Sequence, residues 1–204
     1  MTSGVVFAEF TIAAGDRARF AGWHTNEHAR ERLEIPGVRG VQRYVDIADE
    51  LHFCCLYRAN DVGVFASPGY ASLPDRASAT TREIASGITG TRFLGEAFGS
   101  QGNGQGGLMM RSRRSPWSHQ EAEACLAASA EELALGTISR VEILKPGQAG
   151  PKVDDLAWII ILEGSTIVGL GEATSRLQTQ GKAKEIFRLE HAMSVSSLGP
   201  DTKS

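Results

Sequence analysis

The stretch of sequence that decides the organisation of this chain is Gly99-Ser100-Gln101-Gly102-Asn103-Gly104-Gln105-Gly106-Gly107, near the middle of its 204 residues. The stretch holds a dense group of the chain's 23 glycines and offers no apolar side chain to bury. Glycine and small polar residues leave the backbone flexible, so the pattern predicts a linker over residues 99–107. The linker separates residues 1–98 from residues 108–204, and each part has the size of a small domain.

The first part, residues 1–98, alternates strand patterns with helix patterns. A helix is predicted from Asp16 to Glu34, where Asp16 caps the first turn and the pair Pro36-Gly37 follows the last one. Apolar, β-branched and alternating runs predict strands around it. The predicted strands are Val5–Ile12, Val38–Ile47, Leu51–Arg58 and Thr91–Phe98, with a weaker helix, interrupted by Pro and Gly, over Asp61–Leu73.

The second part, residues 108–204, repeats that order. A helix rich in Ala, Glu and Leu is predicted from Ser118 to Leu135, and Ser118 and Glu121 have the spacing of a capping box. A second helix is predicted over Leu170–Gln180, with a polar tail after Val195. The predicted strands are Leu108–Arg113, Thr137–Leu144, Leu156–Leu162 and Glu185–Val195.

The order β-α-β-β-α-β therefore occurs twice, and this order is typical of the ferredoxin-like unit. One such unit has helices on one face of a four-stranded sheet and leaves the other face to be covered. We therefore predict an α+β fold in which two tandem ferredoxin-like units, residues 1–98 and 108–204, pack sheet to sheet as an α+β barrel. The alternative is a chance succession of two independent α+β domains.

Composition and charge narrow the classes of function. Apolar residues make up 42% of the chain and charged residues 22%, as in ordinary folded proteins. The formal net charge is −3, so no strong positive field favours nucleic acid or an anionic membrane. Three cysteines without paired spacing, no basic-then-apolar leader and no apolar run near 20 residues predict a cytoplasmic protein.

The densest group of reactive side chains is the run Trp23-His24-Thr25-Asn26-Glu27-His28-Ala29-Arg30-Glu31-Arg32. On a helix, residues four apart share a face, which places His24, His28 and Arg32 together and pairs Trp23 with Glu27. Imidazole titrates near neutral pH and can move a proton there. An aromatic ring, two imidazoles and a guanidinium on neighbouring faces can bind and polarise a small organic anion or a carbonyl compound.

Two other interpretations of this run stay open. His24, Glu27 and His28 match H-x-x-E-H, a zinc-protease pattern in which both histidines bind zinc and the glutamate activates water. That pattern needs a third protein ligand, which the sequence does not identify. The same residues are also compatible with a solvated helix face on which only Trp23 packs against the sheet.

The run from Trp23 to Arg32, followed by Pro36-Gly37-Val38 and Arg43-Tyr44, resembles the dimeric α+β barrel superfamily, and is closest to its EthD-like and uncharacterised bacterial members. Leu56-Tyr57 and the run from Ser67 to Leu73 are similar to the third strand and second helix of that group. The resemblance covers the first half of the chain, while the second half matches only in the order of its elements. A site, if the chain has one, is therefore expected in the first half.

The resemblance implies a barrel with a ligand cleft between sheet and helices. Members of the superfamily include cofactor-independent monooxygenases on aromatic polyketides, polyketide cyclases, lactone isomerases, aldoxime dehydratases and haem-degrading enzymes, so the fold alone selects no reaction. Carried over to this chain, the resemblance makes His28 a general acid/base, Arg32 a partner for an anion or carbonyl, and Trp23 a wall of the pocket. His24 joins the catalytic group, and Tyr44 and Glu27 join Trp23 in binding substrate.

The predicted function is therefore small-molecule catalysis in a cofactor-independent acid/base pocket that acts on a phenolic or carbonyl compound. The reaction would be an isomerisation, cyclisation, dehydration, decarboxylation or monooxygenation. No metal or cofactor is expected, no nucleic-acid or membrane partner is expected, and a homodimer is the expected assembly. The alternatives are a non-catalytic ligand-binding or assembly protein on the same scaffold and, third, the zinc hydrolase.

Overall fold

The computed structural model describes residues 3–147, 157–177 and 185–195. Within them, eight antiparallel strands form one closed barrel in the order β1-β3-β2-β8-β5-β7-β6-β4. The strands are β1 (Gly4–Thr11), β2 (Val38–Asp46), β3 (His52–Ala59), β4 (Thr89–Gln101), β5 (Leu108–Arg114), β6 (Arg140–Pro146), β7 (Trp158–Gly164) and β8 (Glu185–Ser194).

The helices lie on the outside of the barrel. They are α1 (Arg17–Trp23), α2 (Ala29–Leu33), α3 (Pro68–Ala71), α4 (Ala79–Ser86), α5 (His119–Ala134) and α6 (Ile167–Arg176). A π-helical segment, His24–His28, joins α1 to α2, and 3-10 turns cover Ala14–Asp16 and Val62–Ala66. None of the described helices has the length and apolar character that crossing a membrane requires.

The predicted fold class, two tandem ferredoxin-like units packed sheet to sheet, is wrong. The strands form a single closed antiparallel barrel, in which β2 pairs with β8 from Gly40↔Ser194 to Asp46↔Phe187. The second junction pairs β4 with β6 from Gly95↔Pro146 to Gln101↔Val141. The physical reason is that two open sheets would leave edge strands with unpaired backbone groups, whereas closure pairs every edge.

Closure also changes the predicted linker. Strand β4 continues to Gln101, so the first three residues of the glycine-rich stretch 99–107 belong to the barrel. Gly102 has a φ of +82°, in the left-handed region that favours glycine, and it ends the strand. The remaining residues of the stretch lead directly to β5 at Leu108.

Three apolar cores result from the alternation of side chains along the strands. The barrel interior is filled from all sides by residues such as Phe7, Leu56, Met109, Ile159 and Phe187. A second core lies between the outer barrel surface and helices α1 to α4, and a third lies between that surface and helices α5 and α6. Any cavity between sheet and helices is therefore separated from the barrel interior by the sheet itself.

Ion pairs close both ends of the barrel interior. At one end Arg111 contacts Glu9 and Glu185, and His52 Nε2 lies 3.3 Å from Glu9 Oε1. At the other end Arg58 donates to Glu142 Oε1 over 2.6 Å. Buried charges need such partners, because an unpaired charge in a low-dielectric interior costs several kcal/mol, about the same order as the net stability of a domain.

Two predicted helices differ from those observed. The segment predicted over Asp61–Leu73 is a 3-10 turn followed by the short α3, capped by the Ser67 side chain. Helix α4 was not predicted, since Ile84 is its one buried residue and gives no periodic apolar pattern. In the second half, α6 begins at Ile167, three residues before the predicted start at Leu170. Residues 178–180 of that predicted helix lie outside the described residues. Leu156, the first residue of the predicted strand Leu156–Leu162, also lies outside them.

Candidate active site

The helix that carries the predicted site residues contains a π segment at those residues. The Ala29 backbone N–H donates to the His24 carbonyl, five residues back, instead of four as in an α-helix. Beneath the segment, Arg43 donates to the Ala21 carbonyl and to Thr25 Oγ1, each over 3.2 Å. Segments of this kind are frequent at functional sites, and this one turns two imidazoles towards the sheet.

Both imidazoles meet a tyrosine on the outer face of β3. The Tyr57 hydroxyl lies 3.1 Å from His28 Nε2 and 3.3 Å from His24 Nε2. Cys55, two residues earlier on the same face of the strand, places its Sγ 3.3 Å from His24 Nε2. Cys54 points to the opposite face, into the barrel interior. The structure therefore builds a three-membered group, His24–Tyr57–His28, which we call the imidazole–phenol triad.

The triad constrains where its protons lie. A phenol has one O–H to donate, so Tyr57 donates to one Nε2 and its oxygen accepts an N–H from the other. One histidine is consequently protonated on Nε2 and the other on Nδ1. Neither His24 Nδ1 nor His28 Nδ1 has a hydrogen-bond partner among the described residues, although both atoms are buried.

Burial sets the charge of the triad. It lowers the pKa of His28 to about 3, with the Arg32 guanidinium contributing in the same direction. Burial, followed by His28 and Arg43, lowers the pKa of His24 well below its ordinary value. Burial likewise raises the pKa of Tyr57 well above its ordinary value. At neutral pH the triad is therefore two neutral imidazoles and one neutral phenol, and each unprotonated ring nitrogen is a weak base.

The triad forms the polar end of a cavity of about 420 Å³ between the outer surface of the barrel and the helices. Small-molecule sites usually have volumes of roughly 300–1,000 Å³ and mostly apolar walls. The walls come from β1, β3, β4 and from the helices of the first half. The lining residues are Val6, Ala8, Phe10, Phe20, Trp23, His24, His28, Glu31, Arg32, Tyr57, Tyr70, Leu73, Pro74, Ala77, Thr81, Arg82, Ala85, Ile88 and Arg92.

Two further predicted residues line this cavity. The Trp23 ring packs on the His28 ring with centroids 4.6 Å apart, and its Nε1 donates to Thr81 Oγ1 over 2.9 Å. The Arg32 guanidinium carbon lies 5.4 Å from the centroid of the Tyr70 ring. The structure therefore places Trp23, His24, His28 and Arg32 in one cavity. Helical spacing had grouped the two histidines with Arg32, and the resemblance had made Trp23 a wall of the pocket.

Glu27 and Tyr44 lie elsewhere. Glu27 accepts hydrogen bonds from the Thr81 hydroxyl over 2.6 Å and the Ser78 hydroxyl over 2.5 Å, at the start of α4, and these bonds lower its pKa. Tyr44 is fully buried in the barrel interior, where its hydroxyl accepts from Gln42 Nε2 over 3.2 Å. Its neighbour Arg43 faces the helices instead, because successive residues of a strand point to opposite faces. Neither Glu27 nor Tyr44 lines the cavity.

The zinc-site interpretation of H-x-x-E-H requires Glu27 to face the two histidines, and the structure places it elsewhere. Glu27 is bonded to Ser78 and Thr81, away from the two Nε2 atoms that the zinc would need. Among the described residues, the group of three side chains placed to hold a metal ion is Glu9, His52 and Glu185, which does not include His24 or His28. Arg111 contacts both of those glutamates, and its charge fills the place that a cation would take.

Sequence reasoning did not identify several residues of the site: Tyr57, Cys55, Tyr70, Arg82 and Arg92. Tyr57 offered one signal, since it follows Phe53 and Cys55 on a strand face that also carries Ala59, and a polar aromatic among apolar residues needs a hydrogen-bond partner. Arg82 and Arg92 gave no such signal. Arg82 lies on a helix that was not predicted, and Arg92 is an exposed residue near the start of β4.

The fold and the cavity define an α+β barrel with a small-molecule cavity beneath its helices. Among solved structures, the chain is similar to a protein of Fusobacterium nucleatum subsp. nucleatum described as a "putative monooxygenase", with a TM-score of 0.63, 9% identity and coverage of 95% of this chain and 94% of that one. It is also similar to an anthrone oxidase-like protein, with a TM-score of 0.61, 10% identity and coverage of 98% and 96%. A chlorite dismutase of Candidatus Nitrospira defluvii in complex with imidazole gives a TM-score of 0.59, 10% identity and coverage of 93% and 91%.

These likenesses concern the fold. They confirm the expected resemblance to the dimeric α+β barrel at the level of architecture, and an EthD-like membership is not shown. No family model matches the chain. No curated protein matches it either.

Proposed function

We propose that this protein is a small-molecule oxygenase that uses an acid/base pocket to activate a phenolic or carbonyl compound towards dioxygen. One observation carries the proposal: two neutral imidazoles share one phenol at one end of a cavity whose walls are mainly apolar. The fold of this chain is also that of proteins described as a monooxygenase and as anthrone oxidase-like. The imidazole–phenol triad can accept a proton from a bound substrate while all three of its own side chains are neutral in the resting site.

The proposed reaction begins with proton transfer. A substrate CH₂ group conjugated with a carbonyl through aromatic rings, as in a reduced tricyclic ketone, gives its proton to His28 Nε2. The Tyr57 hydroxyl, which donates to that nitrogen in the resting site, turns to donate to the enolate oxygen. The resulting carbanion is electron-rich enough to reduce dioxygen, which we name as the co-substrate. Overall the CH₂ group becomes a carbonyl: two C–H bonds break, one oxygen atom enters the substrate and the other leaves as water.

The side chains around the triad have different roles in this reaction. His28 is the general base, because it is half-buried at the cavity, whereas His24 is fully buried and acts through Tyr57. Because burial lowers the pKa of His28 to about 3, it is a weak base, and the reaction needs an acidic substrate CH₂ whose enolate the pocket stabilises. Trp23 packs against His28 and forms a wall for a planar substrate. General-base catalysis of this kind contributes roughly 10²–10⁴-fold to a rate.

The test is dioxygen consumption with anthrone as the probe, together with chromatography of the product. We expect His28→Gln to lower kcat/KM by about 10²-fold or more, because the amide is similar in size to the imidazole but is a far weaker base. The matched control is His119→Gln on α5, on the other side of the barrel, which should stay within about twofold of the wild type, as surface changes do.

Turnover that survives His28→Gln would contradict the acid/base role. Probe binding without oxygen uptake or product, in the wild type and in the variant alike, would favour the non-catalytic ligand-binding protein instead. The expected homodimer stays a prediction, which sedimentation equilibrium of the purified chain can measure independently of activity.

A further inference from the structure

We propose that the natural ligand of this cavity is an aromatic carboxylate, bound with its anionic end among Arg32, Arg82 and Arg92. The inference rests on the proposed function only in placing the ligand in the same cavity. All three arginines line that cavity. They come from three separate elements, α2, α4 and β4, so they converge through the tertiary fold and not through sequence proximity.

These three arginines lack the counter-charges that others in the protein have. Arg43 pairs with Glu190 over 2.8 Å, Arg58 with Glu142 over 2.6 Å and Arg176 with Glu132 over 2.5 Å. Within the described residues, no carboxylate lies within salt-bridge distance of Arg32, Arg82 or Arg92. Arg82 Nη1 donates to the Ala77 carbonyl over 2.5 Å, which leaves its charge without a counter-ion. The cavity therefore presents three guanidinium groups whose charge an incoming anion can neutralise.

Tyr70 groups two of these arginines around one aromatic ring. The guanidinium carbons of Arg32 and Arg92 lie 5.4 Å and 5.6 Å from its centroid, and Arg92 Nη2 donates to its hydroxyl over 3.2 Å. Stacking on a ring leaves the edge N–H groups of a guanidinium available, and those groups match the two oxygens of a carboxylate. Arg32 is half-buried while Arg82 and Arg92 are exposed, which places the charge along the entrance of the cavity.

The remaining walls specify the rest of the ligand. Glu31 is the one acidic residue of the lining, and burial raises the pKa of its carboxyl group. Beyond it, the walls are side chains such as Val6, Phe10, Phe20 and Ile88. A flat apolar body fits between these walls, with a carboxylate at the arginines and a polar oxygen at the triad. A neutral or cationic ligand would leave the three guanidinium groups uncompensated.

The experiment measures binding, which keeps it separate from turnover. Isothermal titration calorimetry of the full chain compares 2-naphthoate with 2-naphthamide, which has nearly the same shape and no charge. We expect 2-naphthoate to bind at least about tenfold more tightly, with a Kd that rises with added salt. Arg92→Gln should remove most of that difference, and Arg92→Lys should restore part of it, because a lysine keeps the charge and loses the paired N–H groups.

The matched control is Arg19→Gln. Arg19 lies in the same layer of helices and carries the same charge, but it pairs with Glu83 and does not line the cavity, so this variant should keep the preference for 2-naphthoate. Equal Kd values for the two probes, or no binding of either at millimolar concentration, would overturn the inference. An Arg19→Gln effect as large as that of Arg92→Gln would also overturn it, since the preference would then reflect overall charge.

The two proposals fail in different ways. If 2-naphthoate and 2-naphthamide bind equally well, but oxygen uptake persists and depends on His28, the anionic ligand is wrong and the proposed reaction stands. If 2-naphthoate binds more tightly than 2-naphthamide, but no aromatic carboxylate gives oxygen uptake, the anion-binding site stands and the oxygenase activity is wrong.

Discussion

Strands β3 and β7 lie on opposite sides of the same barrel, and their outward faces differ in chemistry. The outward face of β3 carries Phe53, Cys55 and Tyr57, whereas that of β7 carries Trp158, Ile160 and Leu162. Each face is covered by helices, so a hydroxyl on either one must find a partner or remain unsatisfied. Tyr57 finds two imidazoles because the helix above it contains a π segment, while α5 above the second half runs from His119 to Ala134 as an α-helix.

This comparison shows how one scaffold can carry a site on one side and a structural core on the other. The helices over the first half leave a cavity of about 420 Å³ that His24, His28 and Tyr57 line. In the second half, buried polar groups of α5 have partners in the protein: the Ser129 hydroxyl donates to the Cys125 carbonyl over 2.8 Å, and Glu132 accepts from Arg176 over 2.5 Å. Polar side chains aimed at a cavity are available to a ligand, and those bonded to their own helix are not.

The largest expected effect concerns packing in the second half. Ile160 is 1% exposed within its core. We expect Ile160→Ala to lower the free energy of unfolding by about 2–5 kcal/mol, since it removes buried methyl groups and leaves a cavity. Urea titration followed by circular dichroism measures this change. The control is Ile167→Ala, at a position that is 51% exposed, where a change of about 0.5 kcal/mol or less is expected. Equal losses in the two variants would mean that the second half is not a close-packed core.

The next effect separates the two faces of the barrel wall. We expect Tyr57→Phe to lower kcat/KM by about 10²-fold, because it removes the hydroxyl that links His24 to His28 and that stabilises the enolate. The matched control is Tyr44→Phe, which removes a hydroxyl of the same kind in the barrel interior. Oxygen uptake with anthrone measures both. If Tyr44→Phe costs as much activity as Tyr57→Phe, the site extends into the barrel, as the sequence-based assignment of Tyr44 suggested.

The sequence predicted the elements that depend on local patterns. The strands follow from alternation, and helical spacing grouped His24, His28 and Arg32, which the structure places in one cavity together with Trp23. Closure of the barrel depends on pairing β2 with β8 and β4 with β6, between strands far apart in the chain, and no local pattern encodes such partners. Tyr44 was misplaced for a related reason: its neighbour Arg43 faces the helices, and which face of a strand is inside depends on the tertiary fold.

The triad could be predicted only in part. The two histidines were visible as an i, i+4 pair, but their shared partner Tyr57 lies on a different strand and was not assigned to the site. The π segment was also out of reach, because its hydrogen bond from Ala29 to His24 depends on contacts such as that between Arg43 and Thr25. Helix α4, which supplies Thr81 and Arg82, has too few buried residues to show a periodic pattern.

Acid pH has a different effect on stability, and this effect again distinguishes the two halves. The pKa of His28 is lowered from 6.5 to about 3 and that of His24 is lowered as well, so the unfolded chain binds protons first as the pH falls. The contribution of the neutral, buried His28 to the free energy of unfolding is fully present above its unfolded-state pKa, near 6.5. This contribution is lost as the pH falls from 6.5 to about 3. We expect the free energy of unfolding to fall by up to about 1.4 kcal/mol per pH unit for each histidine.

The pH effect is measured by urea titration at several pH values between 7 and 4. His28→Gln should make the decline shallower, because it removes one of the imidazoles whose pKa is lowered by burial in the folded chain. His119→Gln, in the second half, should leave the slope unchanged. A slope that is the same in His28→Gln and the wild type would show that the buried imidazole is not the source of acid sensitivity.

The smallest expected effect compares the first turns of the helices on the two sides. Ser118 accepts a hydrogen bond from the Glu121 N–H, and the Glu121 side chain accepts from the Ser118 N–H, which completes the capping box expected from the sequence. Asp16 stands at the start of α1 but makes no side-chain capping bond, so the predicted cap there is wrong. We therefore expect Ser118→Ala to lower the free energy of unfolding by about 1 kcal/mol and Asp16→Ala to change it by less than about 0.5 kcal/mol. Thermal unfolding followed by circular dichroism resolves the two values. A larger loss for Asp16→Ala would mean that α1, which leads into the π segment, depends on its first turn for stability. In the structure, that helix is held by its buried side chains and by the hydrogen bonds from Arg43 beneath the π segment.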